Sequence, residues 1–351
     1  VGTTLGVVVL ALCMVPAVAR LRVPWRPTYR FGGDARRAVA GLAGVAVITV
    51  AAQQLSLFIA IRLANATPDD HTSAFMFTLA QTVYLVPWSV LALPVAVSVY
   101  PTLATAAATG DDDGYRRSLA GATRSVLLLS AFGAAALIAA ATPLARLFAR
   151  IASATKPDPS TLALAFATFA PALIGYGLFA LHSRALYARS QNRYAAVATV
   201  IGWGVVIAAS FGLSSLMPEH LRVVALTTAN TIGMTVLAVV LGVIVVRRTG
   251  RASLHGLPRA ALAALVAGLA AAAAGVAVRL PLPSAPGVTG DIAEGMLCGV
   301  VAVVVFGLVA AALDRRDVRP LLTRLMRIGS RTRSADRTGD NEHPTGTGGT
   351  R

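Results

Sequence analysis

Charged residues are scarce in this 351-residue chain. They make up 13% of it, lysine occurs once, at Lys156, and there are two cysteines. Soluble domains hold about 25% charged residues, so the composition excludes an ordinary soluble domain of this length. Two cysteines also exclude a disulfide framework. Cys13 and Cys298 both lie in apolar stretches, where we expect them to pack as small hydrophobic residues.

Catalytic motifs are also missing. The sequence contains no GxSxG, no HExxH and no P-loop, which are the patterns of common hydrolases, metalloproteases and nucleotide-binding enzymes. His182 has no second His, Cys or carboxylate nearby in the sequence, so it does not form a metal-ligand set. The loops are too short to hold an external catalytic domain. We therefore expect no enzyme activity, no cofactor and no metal.

Apolar sequence is what the chain has in abundance, since 56% of its residues are hydrophobic. A membrane helix needs about 20 mainly apolar residues. Nine stretches satisfy this requirement: Gly2–Ala19, Ala38–Ala64, Ala74–Ala108, Leu119–Phe148, Thr161–Leu186, Tyr194–Leu216, Val223–Val246, Ala260–Leu280 and Ile292–Leu313. We predict an all-α, polytopic membrane helix bundle over residues 1–314, located in the cell membrane.

Basic residues are divided unequally between alternate loops. One set, 20–37, 109–118, 184–193 and 247–259, carries 15 Lys and Arg, whereas the set 65–73, 146–159, 217–222 and 279–291 carries 5. Cytoplasmic loops retain Lys and Arg, so we predict that the first set and the C-terminus are cytoplasmic. The same rule explains the net charge of +16 without a nucleic-acid partner.

The polar C-terminal region divides into two parts. In residues 315–333, apolar positions recur at helical spacing between arginines, with Val318, Leu321, Leu322, Leu325 and Ile328 on one face. This pattern is typical of a basic amphipathic helix that lies on anionic membrane lipids, although an ordinary positive-inside anchor has the same composition. Residues 334–351 lack apolar side chains, so we expect them to be disordered.

Three prolines occur seven residues apart in the third apolar stretch, at Pro87, Pro94 and Pro101. Each removes a backbone hydrogen bond and bends a helix. Broken membrane helices are tolerated where neighbouring helices or a water-lined cavity satisfy the exposed carbonyls. The spacing therefore indicates either a helix that lines a cavity or a kinked helix without a role in transport.

A few uncharged polar residues occur deep in the apolar stretches. No Asp or Glu lies deep in a span, and Glu294 is close to the start of the ninth, which argues against a proton relay of carboxylates. The candidates for a substrate cavity are Gln53, Gln54, Ser56, Gln81, Thr82 and Asn230. Such side chains also hold helices together, and this alternative stays open.

Several short motifs occur in a characteristic order. They are Gly2-Thr-Thr-Leu-Gly, Gln54-Leu-Ser56, the pair Pro87 and Pro101 followed by Gly110-Asp111, the cytoplasmic motif Arg184-Ala-Leu-Tyr187-Ala-Arg189, and Ala229-Asn-Thr231 followed by Arg247-Arg248. Their order and spacing resemble the MurJ/MviN lipid II flippases of the multidrug/oligosaccharidyl-lipid/polysaccharide exporter superfamily, with the last motif similar to actinobacterial members.

This resemblance covers helices six to fourteen of a fourteen-helix family. It implies a C-terminal lobe with two extra helices, a missing N-terminal lobe that function requires, and alternating access to an undecaprenyl-linked peptidoglycan precursor, lipid II. Thr82 replaces an arginine that the family often carries. A related polysaccharide or drug exporter has the same architecture, and a polytopic scaffold for cell-wall enzymes remains a further alternative.

Overall fold

The computed structural model describes residues 8, 9, 12, 33–66, 72–152, 155–280 and 287–313, with the backbone alone at 33–42. Ten α-helices follow one another from residue 33: α1 Gly33–Ala64, α2 Ser73–Pro87, α3 Leu93–Thr109, α4 Asp112–Ile151, α5 Pro159–Phe169, α6 Ala172–Ala188, α7 Asn192–Leu216, α8 Arg222–Thr249, α9 Leu257–Ala277 and α10 Val288–Leu313. These ranges contain no strand.

Two units divide the chain, residues 1–44 and residues 45–351. In the first unit, Val8, Val9 and Leu12 are helical and exposed. The second unit contains every side-chain interaction described below. The part of the chain that the structure describes has eight segments long and apolar enough to cross a membrane, which confirms the predicted all-α membrane class. Most of the first predicted stretch and residues 315–351 lie outside the described residues.

Helix lengths follow from local signals at their ends. Gly110 adopts the left-handed conformation, φ 71°, and ends α3. Asp111 then begins α4, because its carboxylate accepts a hydrogen bond from the Gly114 amide at 2.8 Å. The 40 residues of α4 span about 60 Å at 1.5 Å per residue. This length is about twice the hydrocarbon thickness of a bilayer, so α4 is longer than a single perpendicular crossing needs.

Two of the differences from the predicted stretches bear on the description below. The fifth apolar stretch is divided into α5 and α6 at Ala170 and Pro171, where proline cannot donate its backbone hydrogen bond. The ninth stretch begins at Val288 rather than at Ile292. Asp291, which the sequence placed in a loop, therefore lies in the first turn of α10 and is only 2% exposed.

Two hydrophobic clusters fill the bundle. The larger contains residues of every helix from α1 through α8 and surrounds the rings of Phe77, Tyr84 and Phe169. In the smaller, α9 and α10 pack on α4 through alanines and an edge-on contact of Phe132 with Phe306, whose ring centroids are 5.4 Å apart. Small residues allow such helices to approach closely. Cys298 is buried in this second cluster, as predicted for a small hydrophobic residue.

Candidate functional site

A polar pocket lies among α1, α2, α7 and α8. Its lining includes Gln53, Ser56, Gln81, Trp203, Ser210 and Asn230. The sequence singled out four of these side chains as cavity candidates, and the fold brings them together from three helices. The enclosed volume is about 20 Å³, which is room for about one water molecule.

Asn230 is a deeply buried polar residue of this pocket. Its side chain is 5% exposed, and its carbonyl oxygen Oδ1 is buried without a hydrogen-bond partner among the described residues. Buried polar atoms are nearly always satisfied by protein, by water or by a ligand. The Asn230 oxygen is therefore an acceptor directed to whatever occupies the pocket.

The residue next to Asn230 has a different role. The Thr231 hydroxyl donates to the backbone oxygen of Thr168 at 2.6 Å, and the hydroxyls of Thr168 and Thr227 are 2.8 Å apart. These bonds tie α8 to α5, which is the helix-holding use of polar residues in membranes. On α8, Asn230 thus lines the pocket, whereas the adjacent Thr231 holds α8 against α5.

Two predicted cavity residues lie outside the polar pocket. Gln54 and Thr82 are exposed and do not line it. The Thr82 hydroxyl donates to the Thr78 carbonyl at 2.9 Å, within its own helix. Such a bond satisfies the hydroxyl locally. Gln54 and Thr82 are therefore available as controls for the residues that line the pocket.

The three prolines affect their helix unequally. Between α2 and α3 lies a π-helical turn, Trp88–Ala92, in which the Leu93 amide donates to the Trp88 carbonyl five residues earlier. Pro87 ends α2 just before this turn, and Pro94 follows it. Widened turns accommodate carbonyls that a proline ring would otherwise strike. At Pro101 the α-helix continues unbroken.

The π-helical turn contributes Trp88 to an aromatic groove of about 450 Å³. Its lining is Trp88, Tyr100, Tyr176, Phe179, Ala180, Ser183, Arg184 and Tyr187, from α3, α6 and the turn itself. The Trp88 and Tyr176 ring centroids are 4.9 Å apart. The Gln53 side chain lies within hydrogen-bonding reach of the Tyr176 hydroxyl, so the polar pocket and the groove adjoin.

The motif residues Arg184, Tyr187 and Arg189 separate into two environments. Arg184 and Tyr187 line the aromatic groove, where Arg184 donates to the Ala180 carbonyl at 2.7 Å. Arg189 instead pairs with the Asp112 carboxylate and lies over the Tyr115 ring, 4.3 Å from its centroid. Arg189 thus fastens α6 to the start of α4, whereas Arg184 places a cation beside an open groove.

His182 lies close to this region without a metal set around it. It is 1% exposed, and its Nε2 atom is 3.3 Å from the Thr123 hydroxyl. Among the described residues, no group of three or more His, Cys, Asp or Glu side chains has the proximity that metal binding requires. The contact with Thr123 gives His182 a packing role between α4 and α6.

Comparison with known proteins assigns the family. A family model described as lipid II flippase MurJ matches residues 1–297. The chain belongs to the MurJ family. A solved structure titled "Lipid II flippase MurJ, inward closed conformation" is similar in fold, with a TM-score of 0.58 and 15% sequence identity. The similarity covers 84% of this chain but 58% of that one. No curated protein matches the chain.

The MurJ family match confirms the resemblance seen in the sequence, but sequence reasoning missed part of the site. Trp88 and Tyr176 gave no signal because aromatic residues on apolar helices are usually core. Ser210 is also missed, although it lies seven residues after Trp203 on α7 and thus on the same face. A search for polar residues in register with large aromatic residues would have found it.

Proposed function

We propose that this chain is the C-terminal part of a lipid II flippase and supplies one lobe together with α9 and α10. The chain spans 58% of the length of the solved MurJ structure, so the complete cycle requires the remainder of the transporter. The substrate is an undecaprenyl-linked peptidoglycan precursor, and its movement follows alternating access between two halves. The match of residues 1–297 to the MurJ family supports this function.

The polar pocket has room for about one water molecule in this structure, so it receives the substrate headgroup only when the two halves of the transporter move apart. A sugar and peptide headgroup cannot cross hydrocarbon without replacing its hydrogen bonds to water. Gln53, Gln81 and Asn230 offer amide donors and acceptors on three helices without the larger cost of a membrane-buried charge. The convergence of these side chains on one pocket is the observation that carries the proposal.

The π-helical turn supplies the bend that such a cycle needs. Turns of this kind are frequent at functional sites, and discontinuous helices near the bilayer midplane are typical of transporters. Trp88–Ala92 lies near the middle of the 37-residue segment Ser73–Thr109. Bending there moves α3 relative to α2 and changes the width of the adjoining aromatic groove.

Complementation by the complete transporter tests the polar pocket. Asn230→Leu and Gln81→Leu keep similar side-chain volume but delete the hydrogen-bonding groups, so we expect loss of complementation at normal membrane abundance and accumulation of lipid II in the inner leaflet. The matched control is Thr82→Val, one residue from Gln81 and outside the pocket, and it should support growth. Normal growth of both pocket variants, or reduced abundance with normal flipping per molecule, would contradict the proposal.

A further inference from the structure

The aromatic groove follows two helices from the middle of a span toward its end. On one side, Trp88 and Tyr100 lie about 18 Å apart along the chain at 1.5 Å per helical residue. The other side is a single face of α6, on which the lining residues recur at helical spacing: Tyr176, Phe179, Ala180, Ser183, Arg184 and Tyr187. Because α6 ends at Ala188, Arg184 lies near one end of an elongated groove.

Arg184 gives this end of the groove a positive charge. Its Nη1 atom donates to the Ala180 carbonyl at 2.7 Å, and a carbonyl orients a guanidinium without neutralising it. Among the residues that the structure describes, no carboxylate lies within ion-pair distance of Arg184. Arg189 differs, because it pairs with Asp112. Arg184 therefore keeps its charge, and most of its five N–H donors, for a ligand.

The aromatic side chains add ring faces and a hydrogen-bond donor. Tyr100 and Tyr187 are 39% and 38% exposed. The face of an aromatic ring carries partial negative charge, so it attracts the C–H groups on the face of a sugar ring. The indole Nε1 of Trp88 is buried and has no hydrogen-bond partner in the described part of the chain. Buried donors are nearly always satisfied by protein, by water or by a ligand.

These features together favour a phosphorylated sugar as the ligand. Arginine forks bind phosphate oxygens in pairs, and sugar hydroxyls accept hydrogen bonds while the sugar ring lies on an aromatic face. A purely apolar chain would leave the Arg184 charge and the Trp88 donor without partners, which costs free energy. The groove volume of about 450 Å³ is typical of small-molecule sites, which are mainly apolar and aromatic with a few polar groups.

We propose that the aromatic groove binds the sugar phosphate of the lipid-linked substrate, with the phosphate at Arg184 and the sugar against the rings between Arg184 and Trp88. This assignment rests on the flippase function proposed above. The groove has a volume of about 450 Å³ in this structure, whereas the polar pocket has room for about one water molecule. The groove can therefore be occupied before the two halves of the transporter move apart.

The position of the groove makes it an entrance to the polar pocket. Residues 184–193 belong to the arginine-rich loops that the charge rule predicts to be cytoplasmic, so a substrate from that side meets Arg184 first. At the other end of the groove, Gln53 of the polar pocket lies within hydrogen-bonding reach of the Tyr176 hydroxyl. A phosphate held at Arg184 thus leaves the rest of the headgroup directed toward Gln53.

Retention of two defined lipids by the complete transporter tests the groove. The protein is purified in a mild detergent and incubated with lipid II or with undecaprenyl pyrophosphate, which has the same tail and pyrophosphate but no sugar. Retained lipid is counted by native mass spectrometry. We expect Arg184→Gln to weaken retention of both lipids about tenfold, as for loss of a hydrogen bond to a charged group. Arg184→Lys should restore part of it because lysine keeps the charge.

Removal of a ring separates the sugar from the phosphate. Tyr100→Leu deletes a partly exposed aromatic face, so it should weaken retention of lipid II about threefold and leave undecaprenyl pyrophosphate unchanged. Equal weakening of both lipids would mean that the ring contacts the tail or the phosphate and would overturn the sugar assignment. Displacement of lipid II by an equal concentration of phosphatidylglycerol would mean a phospholipid site and would also overturn it.

Two exposed residues of α7 outside the groove supply matched controls. Arg193→Gln removes an arginine, and Phe211→Leu removes an aromatic ring. Both should leave retention of lipid II unchanged. Equal weakening by Arg184→Gln and Arg193→Gln would mean diffuse surface charge, and equal weakening by Tyr100→Leu and Phe211→Leu would mean a general loss of apolar surface. Either result contradicts a site in the groove.

The wild-type protein separates failure of the groove assignment from failure of the proposed function. If the wild-type transporter retains no lipid II, the flippase function and the groove assignment both fail. If it retains lipid II and Asn230→Leu abolishes complementation, while Arg184→Gln and Tyr100→Leu bind lipid II like wild type, the flippase function stands and the groove assignment is wrong.

Discussion

Arginines anchor both ends of α4, but the carboxylates that pair with them are exposed at one end and buried at the other. At the Asp112 end, Arg116 donates to a backbone carbonyl and pairs with Asp112 and Asp113, whose side chains are 56% and 77% exposed. At the Ile151 end, Arg146 pairs with Glu294 at 2.5 Å and Arg150 with Asp291 at 2.7 Å. The Asp291 and Glu294 side chains are only 1% and 14% exposed.

The difference in burial decides how much each end depends on its charges. Exposed ion pairs contribute about 0–1 kcal/mol, whereas removing one member of a buried pair costs about 3–5 kcal/mol because the other charge stays uncompensated. The Asp112 end therefore tolerates loss of the exposed Asp113 carboxylate, since Arg116 keeps its bond to the Thr249 carbonyl. The Ile151 end depends on Asp291, through which α10 is attached to α4.

The largest expected effect is that of Asp291→Asn. Asparagine has nearly the same shape but leaves Arg150 without its carboxylate and weakens the 3.9 Å approach of Arg146 to Asp291. We expect a loss of about 2 kcal/mol in the free energy of unfolding, less than for a fully buried pair because the Arg150 side chain is 47% exposed. Thermal unfolding in detergent measures this loss. In a Cys13→Ser background, thiol labelling of the buried Cys298 on α10 should accelerate as α10 loosens.

The opposite end of α4 supplies the control for Asp291→Asn. Asp113→Asn removes an exposed carboxylate that also pairs with an arginine, and it should change neither the unfolding temperature nor the labelling of Cys298 measurably. If the two variants behaved alike, the burial argument would be wrong and the contrast between the ends would disappear.

A smaller effect is expected from Tyr115→Phe at the Asp112 end. The Tyr115 hydroxyl donates to the Ala185 carbonyl at 2.7 Å in a buried setting, while phenylalanine keeps the ring under the Arg189 guanidinium. A single neutral hydrogen bond contributes about 1 kcal/mol, so thermal unfolding should show roughly half of the Asp291→Asn effect. Tyr187→Phe, at a half-exposed residue of the groove, should leave the unfolding temperature nearly unchanged. If Tyr115→Phe destabilised the protein as much as Asp291→Asn, the contrast between the two ends of α4 would be wrong.

The sequence predicted what depends on local pattern. The length of the apolar stretches identified the membrane helices, and the polar residues within those stretches identified four lining residues of the polar pocket. Each of these signals can be read from a single stretch of sequence, without knowledge of how the helices pack. The π-helical turn was only partly foreseen. The spacing of Pro87, Pro94 and Pro101 indicates bending, but which proline interrupts the helix depends on how the neighbouring helices receive the exposed carbonyls.

The ion pairs at the Ile151 end could not be predicted in the same way. Arg150 and Asp291 are 141 residues apart, and Arg146 and Glu294 are 148 apart, so only the packing of α10 on α4 brings them together. Arg124 illustrates the same limit. Its hydrogen-bond acceptor, the His255 carbonyl, lies 131 residues away along the sequence.

The smallest expected effect is that of replacing Asp158, whose carboxylate caps the start of α5. In the loop after α4, Asp158 accepts hydrogen bonds from the Thr161 amide at 2.8 Å and from the hydroxyls of Ser160 and Thr161. These bonds favour the charged form and lower the pKa of Asp158 from 3.8 to about 2. The carboxylate therefore contributes stability above pH 3.8 that is lost as the pH falls toward 2.

Asp158→Asn should thus have little effect at neutral pH, a few tenths of a kcal/mol, because asparagine caps helices about as well as aspartate. As the pH falls from about 5 to 2, the wild-type unfolding temperature should decline toward that of the variant. Ser160→Ala removes one donor to the carboxylate and should narrow the pH range of the decline. If the difference in unfolding temperature between wild type and Asp158→Asn stayed constant over this pH range, the hydrogen bonds would not stabilise the charged form of Asp158. Carboxylates near this end of α4 would then contribute to stability only where they pair with an arginine.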